Sequence, residues 1–126
     1  MFAAVASAIL LMSPQAAGSE TRPPAPLVVT YDTAVKCAGV TQAASELRGG
    51  ETADGRALYD DALYWSLTTI QLANAQGRNA QTTEEDMQKA RVSAVRRLSS
   101  ELDDAVRELR RCRQMAPSLN GTARRP

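Results

Sequence analysis

Apolar positions change their pattern twice along the chain. Residues Phe2 to Met12 are apolar or small almost without interruption, with Ile9, Leu10 and Leu11 consecutive. Ser13 and Pro14 end the run, and Ala16, Ala17, Gly18 and Ser19 follow. A helix needs about 20 apolar residues to span a bilayer. This run is shorter and has the length of a signal-peptide core. Cleavage after Gly18 or after Ser19 leaves small residues at the minus-one and minus-three positions, so residues 1–18 are read as an export signal. No Lys or Arg precedes the run, so either the α-amino group supplies the charge or the true start lies upstream. The alternative is an apolar N-terminal helix of the folded protein. No Cys stands at the cleavage position, which argues against a lipoprotein.

Residues 19–31 form the next segment. Pro23, Pro24 and Pro26 exclude helix there and favour an extended linker, and Leu27, Val28 and Val29 add an apolar lead-in.

From residue 32 to 115 the spacing turns helical. A first helix over 32–47, capped by Thr30, Asp32 or Thr33, places Ala34, Cys37, Thr41, Ala44 and Leu47 on one face, and Gly49-Gly50 ends it. A second runs from near Thr52 to Gly77, with Leu58, Tyr59, Ala62, Leu63, Ser66, Ile70 and Ala73 as its apolar stripe. A third segment opens on the capping-box pattern Thr82-x-x-Glu85. It carries Val95, Leu98, Leu102, Ala105, Leu109 and Cys112 at alternating steps of three and four. The fold class is therefore all-α: a small up-down bundle of three to four helices. Residues 116–126 read as a disordered tail.

The two cysteines decide between three helices and four. In an exported protein an even cysteine count implies a disulfide, here Cys37–Cys112. A single helix over 83–115 is about 50 Å long and sets the two cysteines roughly 25 Å apart in an up-down bundle. A disulfide needs Cα atoms within about 7 Å. A turn at Ser99-Ser100, with serine as a fresh N-cap, removes the conflict and is the favoured reading. One long helix with an intermolecular disulfide or free thiols is the alternative, supported by the unbroken seam across 98–102.

Composition then narrows the chemistry. Lys plus Arg is 15 and Asp plus Glu 14, a net charge of +1, which argues against a nucleic-acid partner. Aromatics are only 4%, too few for base-stacking platforms. There is no His, which removes the commonest general base and the usual zinc and haem ligands. No phosphate loop, nucleophile elbow or S-x-x-K occurs. No catalytic residue, metal site or cofactor is assigned, and an enzyme is the least favoured class. Asp60 and Asp61 diverge by about 100° on a helix and read as a solvated face.

Two patches remain as candidates. Tyr64, Trp65 and Leu67 form a candidate partner surface, because Tyr and Trp dominate interface energetics. Tyr64 and Leu67 point away from the stripe centre; Trp65 borders it, and the favoured alternative makes Tyr59 and Trp65 core residues flanking the stripe, with Tyr64 the exposed member. Arg107, Arg110, Arg111 and Arg113 form a candidate contact for an anion or lipid headgroup. The organisation (signal, Pro-rich linker, Ala/Arg-rich helices, two distant cysteines) resembles that of small exported helical proteins of Gram-negative bacteria. In size, helicity and single disulfide it is similar to small periplasmic acid-stress chaperones. The expected function is an exported interaction module, chaperone-like or inhibitory, whose partner is another envelope protein, with no transmembrane span. The alternative is an envelope-associated protein touching anionic lipid through the Arg cluster.

Overall fold

The computed structural model describes residues 28–117. The signal segment 1–18, the Pro-rich linker up to residue 27 and residues 118–126 of the expected tail lie outside the described residues. Four helices follow one another: α1 Tyr31–Arg48, α2 Ala53–Ala75, α3 Ala80–Ser99 and α4 Asp103–Met115, and no strand occurs among the described residues.

Helix α1 is the centre of the bundle, because it packs against α2, α3 and α4. Its sequence explains why it can. Ala34, Cys37, Ala38, Gly39, Val40, Thr41, Ala43 and Ala44 are all buried, so it is covered on nearly every side by small side chains. The buried hydroxyl of Thr41 donates back to the Cys37 carbonyl at 2.6 Å, so no polar group is left without a partner in this dry stretch. At Gly39 the backbone of α3 comes so near that a Cβ would stand 2.5 Å from the Ala90 Cβ and 2.6 Å from its carbonyl carbon. Glycine is required there by space rather than by dihedral angle.

Local chemistry sets each boundary. Thr30 caps α1 by accepting from Thr33 N–H, and Thr52 caps α2 by accepting from Gly55 N–H. Helix α3 starts earlier than the capping-box pattern implies. Asn79 is its N-cap, accepting from the Gln81 and Thr82 N–H groups, and this places Thr82 and Glu85 inside the helix. Helix α2 ends in a Schellman motif with Gly77 at φ 67°. Its two bonds run from Gly77 N–H to the Asn74 carbonyl and from Arg78 N–H to the Ala73 carbonyl.

The third segment is two helices, with the break where the cysteine distance requires it. Ser99 is the last residue of α3 and Ser100 its C-cap. The serines therefore end a helix and do not start one. A second Schellman motif closes α3, from Glu101 N–H to the Leu98 carbonyl and from Leu102 N–H to the Arg97 carbonyl. Glu101 takes the left-handed position at φ 53°. Leu102 is then the N-cap of α4 without a side-chain cap bond, and its side chain is exposed although the heptad seam includes it.

The reversal brings the last helix back to the first. Cys37 and Cys112 form the disulfide, Cα atoms 5.3 Å apart. Trp65, 0% exposed, adds a second tie by donating from Nε1 to the Cys112 carbonyl at 3.0 Å. Thus α1, α2 and α4 converge on one residue. Ala116, within the segment expected to be tail, is part of the same core.

Candidate functional site

Helix α2 carries two apolar arcs. At 100° per residue, Leu58, Asp61, Ala62, Trp65, Thr69 and Ala73 fall on one arc, and all are buried against the bundle. Tyr59, Leu63, Leu67 and Ile70 fall on another, turned outward, at steps of four, four and three. Their exposures are 57%, 41%, 60% and 42%. The sequence pattern had merged these arcs, since Tyr59, Leu63 and Ile70 stand beside Leu58, Ala62 and Ala73 in helical projection. From Tyr59 to Ile70 the outward stripe runs about 17 Å along the helix. Arg56 and Asn74 stand exposed at its two ends.

The sequence-nominated surface residues separate accordingly. Leu67 is the most exposed member of the stripe. Tyr64 is half-buried and sets its ring edge-on to Trp65, centroids 5.1 Å apart. Trp65 is a core residue and not a surface one: its indole fills the junction of α1, α2 and α4, where its N–H finds the Cys112 carbonyl. Tyr59, Leu63 and Ile70 take its place on the outside.

Asp61 also differs from the sequence reading. Asp60 is solvated, but Asp61 is fully buried. Its Oδ2 lies 3.6 Å from Arg113 Nε, while Arg113 Nη2 donates to Asp54 Oδ1 at 2.8 Å. Arg48 approaches Asp54 from the other side at 3.7 Å. The hydrogen bond from Arg113 holds the Asp54 carboxyl below its ordinary pKa.

This network divides the Arg cluster. Arg113 is committed to the α2 carboxylates, whereas Arg107, Arg110 and Arg111 are exposed. Arg97 pairs with Glu108 at 2.7 Å across the α3–α4 angle. At the far end of the molecule the Tyr31 hydroxyl donates to Asp86 Oδ2 at 2.8 Å, under the guanidinium of Arg78, 3.8 Å above the ring. Burial first, then that hydrogen bond, pushes the Tyr31 phenol up from its ordinary value. The Tyr31–Asp86 bond ties α1 to α3.

Among the described residues no group of three or more acidic or Cys side chains is placed to hold a metal ion. Among them too, no helix is long and apolar enough to cross a membrane. No family model matches the chain, and neither does any curated protein or solved structure.

Proposed function

We propose that this protein is an exported, disulfide-linked interaction module of the periplasm or the extracellular space. It holds an envelope protein partner against the outer face of α2. The observation that carries the reading is the stripe Tyr59, Leu63, Leu67 and Ile70, left outside a helix whose opposite arc is already buried. Large apolar side chains aligned on one exposed face are a feature of interaction sites, whereas scattered single ones are ordinary surface. The Cys37–Cys112 bond supports the compartment, because disulfides persist where the surroundings are oxidising.

The test has two parts. Mass spectrometry of the protein from its native host expects a chain starting at Ser19 or Glu20 and two hydrogens light. A reduced chain still starting at Met1 refutes export. A photo-crosslinker at Ile70, 42% exposed on the same stripe, expects one discrete adduct, absent when it is moved to Arg107 on α4. The double variant L63K/L67K should lose the adduct and keep its melting temperature to within a few degrees, since both side chains are exposed on the outer face. An adduct that survives L63K/L67K refutes the α2 face.

A further inference from the structure

A groove of about 700 Å³ opens between α1, α3 and α4, on elements other than the α2 stripe. Its volume is in the range of small-molecule sites. The buried Cys37–Cys112 bond, Ala90 and Met115 supply an apolar lining. Each of the three helices sends one exposed cation to it: Lys36 from α1, Lys89 from α3 and Arg111 from α4.

The fold brings the backbone at these three positions close to the same groove. Lys36 and Arg111 each immediately precede a cysteine of the disulfide, whose Cα atoms are 5.3 Å apart. Lys89 precedes Ala90, which is pressed against Gly39 of α1. Asp104 and Glu108 also line the groove, but neither forms an ion pair with these three cations. Glu108 is held by Arg97 at 2.7 Å. Asp104 stands seven residues before Arg111 on α4, about 10 Å along the axis. Glu85, four residues before Lys89 and its natural helical partner, accepts from the Gln81 amide at 3.2 Å instead. Among the described residues Lys36, Lys89 and Arg111 make no ion pair, while Arg48, Arg91, Arg97 and Arg113 all do. With Arg97 paired to Glu108, the lining keeps an excess of positive charge, which attracts an anionic guest.

We infer that this groove binds a small amphipathic monoanion of fatty-acid type. Its acidic head sits among Lys36, Lys89 and Arg111, and its apolar body lies over the disulfide and Met115. The head is recognised by charge and the body by the apolar lining, so neither half suffices alone.

The experiment is a titration of the oxidised full-length protein with octanoate, followed by amide and methionine-methyl NMR shifts. Inorganic phosphate and the neutral amphiphile octyl glucoside are titrated in parallel. Octanoate is expected to shift Lys36, Lys89, Ala90, Arg111 and Met115 saturably. Phosphate and octyl glucoside should bind at least tenfold more weakly. The exposed-residue variant K36Q/K89Q/R111Q should lose tenfold or more in octanoate affinity, and R107Q/R110Q should lose nothing. Shifts scattered over the whole surface, or a triple variant that binds as before, overturn the site. Phosphate binding as tightly as octanoate, or octyl glucoside doing so, overturns the amphipathic anion.

Discussion

Glu101 carries the sharpest residue-level strain in the described chain. It is the one described non-glycine residue at positive φ, and the Schellman motif needs that conformation to turn α3 into α4. A side chain with a Cβ loses about 1 kcal/mol or more in the left-handed region. Glu101→Gly is therefore expected to raise the melting temperature by a few degrees, and calorimetry reads it directly. Arg113 is the opposite case, since its removal leaves the carboxylate of Asp61 buried without the cation beside it. Arg113→Gln should cost on the order of 3 kcal/mol, measured by urea denaturation at neutral pH. The pH dependence has a defined sign. Asp54 titrates lower in the folded state than in the unfolded one. Its contribution is therefore present above the unfolded carboxylate value of about 3.9 and is lost as pH falls through the folded value. Urea midpoints between about pH 5 and pH 2 should fall in the native protein. The Asp54 share of that fall should shrink in the Arg113→Gln variant, where only Arg48 still stands beside the carboxyl. A midpoint curve that keeps the same shape in both proteins contradicts the assignment.

At the scale of elements, some of the fold was legible and some was not. The turn near residue 100 followed from one inequality, a disulfide's reach against the length of a continuous helix. Its chemistry did not follow, because a left-handed glutamate is not a turn signal that residue type announces. The start of α3 was misplaced because Thr82-x-x-Glu85 fits a capping box while Asn79 caps equally well and comes first. The two arcs of α2 were hidden for a different reason. Hydrophobic periodicity records which residues are apolar, not which of two apolar arcs finds a neighbour. Asp61 was misplaced because it lies on the buried arc of Leu58 and Trp65 and reaches Arg113 of α4, which sequence spacing does not place. Helix α4 itself is short, and isolated helices of 13 residues are marginal in water. Its stability is expected to come from docking.

For the whole molecule, that docking rests heavily on one covalent bond. The cysteines are 75 residues apart, and cross-linking a loop of that size removes enough unfolded-state entropy for about 4 kcal/mol. The double variant C37A/C112A is expected to lose roughly 2–4 kcal/mol. Hydrogen exchange should show α4 losing protection before α1 and α2. Uniform loss across all four helices would contradict a docked final helix. The groove between α1, α3 and α4 would be lost with it, whereas the outer stripe of α2 would persist, so the two faces are separable in one protein.

The convergence on Cys112 also has a consequence in time. A chain is made, and threaded through any membrane, from its N-terminus. Cys37 emerges long before its partner and waits as a solitary thiol on the helix that every other helix must cover. Trp65 likewise waits for a carbonyl that has not yet been synthesised. The native core is completed only when the final turns arrive, so a chain cut short before Cys112 retains most of its helices but cannot close.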